Sequence, residues 1–283
     1  MLIGIGISTS ATSDSDAVTA AVTAETLGFD FVSASDHPVG SRPSYETATL
    51  LTWIAARTNR IAVASRVFGM PFRRPAMLAK AAESLSRLSG GRLILGLGAG
   101  HSDDEIAALG GPAMSPREKV DGLADAIAIM RGAWTGTPFS HDGTVHSVRT
   151  LEMSPRPDAH IPIWLGTYGP RALAVTGRLA DGWIPSLGFA PPARLPDMLD
   201  RIRSAAADAG RGPDAVQAVY NVPVLVDRRA RSDENTIAGG PADVVEQLRS
   251  FTDLGISGFN LMPQRDTDIH ALGEEVLPAF RGG

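Results

Sequence analysis

Short apolar segments alternate with longer helix-like segments along almost the whole chain. Eight segments have the length and β-rich composition of strands, and a helical pattern follows each one. Eight such units fit a (β/α)8 TIM barrel better than an open sheet, so this is the predicted fold class. The sequence predicts strands at 2–7, 29–34, 61–67, 92–97, 161–165, 182–185, 216–226 and 258–262.

The helical segments complete this pattern. Asp14 or Ser15 is expected to cap the first helix and Gly28 to end it. Residues 134–160 break the alternation, and the Asp142-Gly143 turn predicts a small β-excursion between strands 4 and 5. With no repeat or linker, residues 1–283 are expected to form a single domain. The predicted helices after the first are 45–57, 76–89, 115–132, 170–179, 193–209, 242–254 and 269–280.

Composition excludes several functions. With 43% hydrophobic residues the chain has the material for a large core, and a net charge of −5 without a basic cluster argues against nucleic acid as a partner. The absence of cysteine excludes disulfides and thiolate catalysis. No apolar segment approaches the length of a membrane span, and the N-terminus lacks the basic region of a signal peptide. We therefore expect no membrane partner and a cytoplasmic protein.

Glycines frame the fourth predicted strand. Gly96, Gly98 and Gly100 follow a G-x-G-x-G pattern, which is not the GxGxxG fingerprint of dinucleotide-binding folds. They either let the backbone approach a ligand closely or provide a tight turn with positive φ. In a barrel, functional residues gather at the carboxyl ends of the strands. Candidates at those ends are Asp36, His37, Ser65, Arg66, Val67, Gly98, Ala99, Gly100, His101, Gly166, Thr167, Tyr168 and Gly169.

Several segments, in the same order, resemble the luciferase-like monooxygenase superfamily and, within it, the coenzyme F420-dependent oxidoreductases. They read FDFVSASDHP at 29–38, RIAVASRVFGMPFRRPAMLAK at 60–80, LSGGRLILGLGAG at 88–100, IPIWLGTYGPRAL at 161–173, LADGWIP at 179–185 and GGPADVVEQLRSFTDLGISGFNLMP at 239–263. The resemblance implies a flavin or deazaflavin bound at the barrel mouth by the strand-end residues given above other than His101. It also implies a non-proline cis peptide, here at Arg66–Val67, although the family usually has a small residue where Arg66 stands.

The resemblance implies that His37 is catalytic, since F420-dependent relatives carry the same Asp-His pair. An imidazole titrates near neutrality and is suited to hold or transfer a proton during hydride transfer. Asp36 is expected to be structural or to tune His37. His101 stands where some relatives have a glutamate acid, and it either replaces that acid or caps the following helix.

The glycines before the helix at 170–179 offer unpaired amides at the positive end of a helix dipole. We expect a phosphate of the cofactor there, with Arg171 as a possible charge partner, and Trp183 in the core. No metal site is expected, because Asp103 and Asp104 have no second histidine near His101. The pair His141 and His146 is expected to be solvated.

These observations favour hydride transfer between F420 and an unidentified small organic substrate. The alternatives are an FMN-dependent monooxygenase that uses O2 and a non-catalytic barrel that binds a flavin or another ligand. A Schiff-base aldolase is disfavoured, because Lys80 and Lys119 both lie in predicted helices. A homodimer is expected through the alanine- and leucine-rich helices at 45–57 and 76–89.

Overall fold

The computed structural model describes residues 1–265 and 267–282, and its centre is a closed barrel of eight parallel strands. In chain order the strands are β1 (Leu2–Ile7), β2 (Phe31–Ala34), β3 (Ala62–Ser65), β4 (Phe68–Gly69), β5 (Leu93–Gly98), β6 (Phe139–Asp142), β7 (Ser147–Leu151), β8 (Ile163–Leu165), β9 (Gly182–Trp183), β10 (Gln217–Val226), β11 (Ile237–Gly239) and β12 (Gly258–Pro263). Neighbouring barrel strands are β10-β12-β1-β2-β3-β5-β8-β9, and pairing of β9 with β10 closes the ring. The predicted (β/α)8 barrel is confirmed.

Helices cover the outside of the barrel, and their bounds agree with the sequence prediction to within about two residues for the long helices. None of the described helices is both long and apolar enough to cross a bilayer. The helices are α1 (Ala17–Leu27), α2 (Thr47–Arg57), α3 (Pro75–Leu88), α4 (Asp103–Ala108), α5 (Pro116–Ala133), α6 (Pro170–Leu179), α7 (Leu195–Asp208), α8 (Pro241–Asp253), α9 (Asp268–Ala271) and α10 (Leu277–Arg281).

Local capping explains where helices begin and end. Asp16, rather than Asp14 or Ser15, caps α1 by accepting hydrogen bonds from the amides of Val18 and Thr19. Gly28, at φ 88°, ends that helix in the left-handed conformation. The predicted helix at 269–280 is divided, because a π-helical turn over Leu272–Val276 separates α9 from α10.

The predicted β-excursion is a two-stranded antiparallel hairpin of β6 and β7. Its turn is held to α5 by Asp125, whose carboxylate accepts hydrogen bonds from the amides of Val145 at 2.7 Å and His146 at 3.1 Å. His141 Nε2 lies 3.1 Å from the same carboxylate. The expectation that His141 and His146 are solvated is therefore wrong, because both are half-buried.

Side chains fill the barrel interior. A separate buried cluster takes Phe31, Ala64, Ile94, Trp164, Ile184 and Val219 from successive barrel strands or their ends. Phe31 and Trp164 meet edge to face with ring centroids 5.4 Å apart. A Cβ at Gly4 would lie 2.3 Å from the Phe31 ring, so this glycine makes room for the aromatic pair. The interior is a packed core, which leaves the mouth for function.

Candidate active site

A cleft of about 390 Å³ opens at the carboxyl ends of the barrel strands, a size typical of small-molecule sites. Of the thirteen strand-end candidates, twelve line it. Ser65 is the exception, because its buried hydroxyl donates to the carbonyl of Gly96 and accepts from the Gly96 amide, both at 2.9 Å. The expected contact of Ser65 with a cofactor is corrected to a link between β3 and β5.

The peptide bond between Arg66 and Val67 is cis, as expected. The glycines of β5 fit around this bend in the chain. A Cβ at Gly96 would lie 1.9 Å from the Ser65 carbonyl oxygen, and one at Gly98 would lie 2.7 Å from Val67 Cγ2. Gly100 adopts φ 91°, beside Pro71. Intramolecular packing thus accounts for the G-x-G-x-G pattern.

Asp36 is fully committed to neighbouring groups. Arg73 donates to both of its carboxylate oxygens, at 2.6 and 2.8 Å, and the amide of Gly69 donates at 3.0 Å. Such a bidentate pair is strong and geometrically specific. Asp36 therefore fixes the chain just beyond the cis bond and presents the adjacent His37 to the cleft.

His37 contacts a carboxylate that the sequence analysis missed. Its Nδ1 lies 3.1 Å from both carboxylate oxygens of Glu105. The imidazole side chain is 61% exposed and the Glu105 side chain 17% exposed, and both line the cleft. Glu105 lies in the first turn of α4, where acidic residues are common because they interact favourably with the helix dipole. The signal available in the sequence was the position of Glu105 shortly after β5, the fourth predicted strand.

His101 is exposed, and its ring lies 5.5 Å from the ring of Phe189. The residue that caps α4 is Ser102, whose hydroxyl accepts from the Glu105 amide at 3.2 Å. The capping alternative for His101 is therefore wrong. His101 remains at the rim of the cleft, while Glu105 supplies the carboxylate at its wall.

The segment from Gly166 to Gly169 leads from β8 into α6. Gly169 is the N-cap and offers no side chain, and a Cβ built on it would meet no atom within 4 Å. Gly169 and Ala172 line the cleft, so the start of α6 borders it. Arg171 pairs with Asp121 of α5, and its role as a charge partner of the phosphate stays a prediction. Trp183 is fully buried, as expected, and donates to the Thr167 carbonyl at 2.9 Å.

A buried polar chain crosses the barrel below the cleft. Ser33 donates to Asn260 at 2.9 Å, and Asn260 donates to Asn221 at 2.9 Å. The side-chain Nδ2 of Asn221 in turn donates to the Ile184 carbonyl at 3.2 Å. Every link is hydrogen-bonded, as buried polar groups require. Asn221 also lines the cleft and was missed by the sequence analysis.

Tyr168 stands at the end of β8 with its hydroxyl accepting from the Ser186 amide at 3.2 Å. Burial raises the pKa of the Tyr168 phenol, so it stays protonated and is a hydrogen-bond donor at neutral pH. Within residues 1–265 and 267–282, no group of three histidine or acidic side chains is arranged to hold a metal ion.

The fold and cleft define a (β/α)8 barrel protein with a small-molecule site at the strand ends. Residues 2–232 match the luciferase-like monooxygenase family, so the chain belongs to that family. An F420-dependent glucose-6-phosphate dehydrogenase from Intrasporangium calvum is 30% identical, with 92% of this chain and 93% of that protein covered. The family-level resemblance in the sequence is confirmed.

Solved structures agree on the fold. An F420-dependent secondary alcohol dehydrogenase in complex with an F420-acetone adduct superposes with a TM-score of 0.88, at 19% identity over 99% of each chain. The coenzyme F420 dependent tetrahydromethanopterin reductase from Methanopyrus kandleri gives a TM-score of 0.84, at 18% identity over 99% of each chain.

Proposed function

We propose that this protein is an F420-dependent oxidoreductase that transfers a hydride between the coenzyme and a small organic substrate. The observation that carries the proposal is the contact of His37 with Glu105 in the cleft, in a chain 30% identical to an F420-dependent dehydrogenase over 92% of its length. The likeness to solved structures supports the barrel and its mouth as the place of reaction.

The cleft residues fit a flat, anionic cofactor. Val67, Gly98 of β5 and Gly166, which follows β8, present a wall with little side-chain bulk. The uncapped start of α6, where Gly169 leaves open space, offers amide donors to a phosphate. Bound F420 supplies a deazaflavin ring that accepts or donates hydride. We therefore assign cofactor contacts to the cleft-lining candidates other than Arg66 and His101, and exclude Ser65.

His37 is suited to move a proton at Nε2. An ionised carboxylate only accepts hydrogen bonds, so the contact with Glu105 places a proton on His37 Nδ1. In the neutral ring Nε2 is then an acceptor that takes the hydroxyl proton of an alcohol. In the cationic ring Nε2 donates that proton back to a carbonyl oxygen. Glu105 orients the ring through its contact with Nδ1.

A second copy of the chain is proposed to cover an apolar face formed by α2 and α3. Tyr45 and Trp53 are 48% and 57% exposed, and Met77 and Leu88 are 68% and 80% exposed. Large exposed apolar patches mark interaction sites. The homodimer, the cytoplasmic location and the single-domain organisation remain predictions.

The experiment is a screen of purified protein with F420 or its reduced form against alcohols, aldehydes, ketones and unsaturated carbonyl compounds. Loss or gain of F420 fluorescence reports hydride transfer. The proposal expects at least one substrate to change the fluorescence in the presence of the enzyme only. Oxygen-dependent turnover with FMN and none with F420 would instead favour the monooxygenase alternative.

A further inference from the structure

The side chain of Arg66 reaches across the end of the barrel. Its Nη1 donates to Sδ of Met262 at 2.8 Å. Arg66 follows β3, whereas Met262 lies in β12, and β1 and β2 separate these two strands in the barrel. A contact between them places the guanidinium over the barrel interior, where Arg66 lines the cleft. It forms part of the cleft floor.

This cation has no counter-ion among the described residues. Its Nε is buried and makes no hydrogen bond there. The two carboxylates that line the cleft are engaged elsewhere, Asp36 by Arg73 and Glu105 by His37. Among the described residues, the one acceptor that Arg66 contacts is the thioether sulfur of Met262, and a thioether is a weak acceptor.

A charge in this position is costly, because burial removes hydration that a thioether does not replace. Burial lowers the pKa of Arg66 to about 10, which still leaves the guanidinium charged at neutral pH. The folded protein thus maintains a cation with unused donors at the floor of an open cleft. Such an arrangement is stabilised when an anion enters the cleft.

We propose that Arg66 binds a carboxylate of the substrate, so that the site takes small monocarboxylates bearing the hydroxyl or carbonyl group to be oxidised or reduced. The oxidation or reduction of this substrate rests on the proposed function. The binding of its carboxylate by Arg66 does not depend on that function. The planar fork of a guanidinium matches a carboxylate through two parallel hydrogen bonds.

The neighbouring groups favour a single negative charge. Tyr168, Ser186 and Asn221 line the same cleft with neutral polar atoms, and Ile184 and Phe189 add apolar surface. The single positive charge of the guanidinium neutralises one carboxylate, whereas neutralising a phosphate dianion at the same place would require a second cation. The apolar surface reduces the competition from water.

The test compares carboxylates with their amides. Lactate, 3-hydroxybutyrate and benzoate, each beside the matching amide, are titrated by calorimetry into cofactor-free and F420-loaded protein. The wild type should bind at least one carboxylate about tenfold or more tightly than its amide, the size of a charge-assisted hydrogen bond. No variant is needed for this comparison, so misfolding does not affect it.

Variants then locate the preference. Arg66→Met keeps an unbranched apolar stem but removes the guanidinium, so the ratio of carboxylate affinity to amide affinity should fall to about one. Arg66→Lys should retain part of the preference for the carboxylate, since lysine keeps a positive charge but lacks the two parallel donors of a guanidinium. The dissociation constant of F420, measured by fluorescence, should change less than about threefold in both variants, because ring and tail contacts are spread over many residues.

Two results would overturn the proposal. The first is the absence of any carboxylate preference that depends on Arg66: either no carboxylate binds the wild type more tightly than its amide, or the ratio of carboxylate to amide affinity is unchanged in Arg66→Met. The second is a large loss of F420 affinity in Arg66→Met with the ratio unchanged, which would assign Arg66 to the cofactor. Failure of F420 to bind the wild type would refute the proposed function, and the cofactor-free titrations would still decide the role of Arg66.

Discussion

Nδ1 of His37 lies 3.1 Å from both carboxylate oxygens of Glu105, across the cleft from the end of β2 to the first turn of α4. The contact joins residues 68 positions apart in the chain. It gives the exposed imidazole a defined tautomer and leaves Nε2 with no hydrogen bond to any described residue. The proton chemistry proposed for this protein depends on that arrangement.

Replacing His37 with alanine should remove turnover while the coenzyme still binds. Loss of a general acid–base is typically worth about 10²–10⁴ in rate. One lost hydrogen bond should cost binding only about 1 kcal/mol. Single-turnover hydride transfer, F420 affinity and melting temperature are measured on the same variant. Wild-type rates in a folded His37→Ala protein would end the assignment and direct attention to His101.

Glu105→Gln tests whether the carboxylate acts through His37. We expect a rate between those of the wild type and His37→Ala, because the glutamine side-chain oxygen still accepts from Nδ1 but is a weaker acceptor than a carboxylate. In the double variant His37→Ala/Glu105→Gln, the rate should equal that of His37→Ala, since coupled residues are non-additive. Additive losses would show that Glu105 acts independently of the imidazole.

A side chain at Gly169 should interfere with the cofactor and spare the fold. A Cβ there meets no atom within 4 Å, so Gly169→Val should fold, with at most about 1 kcal/mol lost at the N-cap of α6. It should weaken F420 binding by about tenfold or more, because amide donors at the start of α6 become covered. Gly212→Val, also in open space, is the matched control. Equal F420 affinity in the two variants would place the phosphate elsewhere.

Asp125 should stabilise the hairpin of β6 and β7 in a pH-dependent way. Burial alone would raise its pKa, but hydrogen bonds from Val145, His146 and His141 outweigh burial and lower it. A carboxyl with a lowered folded-state pKa stabilises the protein above its ordinary pKa and loses that contribution as the pH falls through the folded value. Asp125→Asn should therefore cost about 1–3 kcal/mol near neutrality and less below about pH 4.

The measurement for Asp125 is denaturant unfolding over a pH series. The exposed neighbour Asp142, replaced in Asp142→Asn, is the control and should change the free energy of unfolding little at any pH. A constant difference between wild type and Asp125→Asn down to acid pH would contradict the proposed origin of the stabilisation.

Trp53 should contribute to a dimer interface. Its side chain is 57% exposed on α2, next to the apolar groove at the start of α1. Trp53→Ser should shift the protein toward the monomer in light scattering at micromolar concentration, without loss of fold. Leu179→Ser, on the far helix α6, should leave the mass unchanged. A wild-type protein that is monomeric would refute this prediction.

The sequence predicted the barrel because the alternation of strands and helices can be recognised from local hydrophobic patterns. The family resemblance located the cis bond at Arg66–Val67. The sequence placed twelve of the thirteen candidates at the cleft. It failed for Ser65, whose side-chain direction depends on pairing with Gly96. It missed Glu105 and Asn221, because their roles arise from contacts across the barrel that no local spacing encodes.

The most direct test of the central claim is equilibrium titration of the purified protein with F420, FMN and NADPH under the same conditions. Fluorescence or calorimetry gives the three dissociation constants. The account predicts that F420 binds most tightly and that Gly169→Val weakens F420 while Gly212→Val does not. Binding of FMN tenfold tighter than F420 would contradict the assignment.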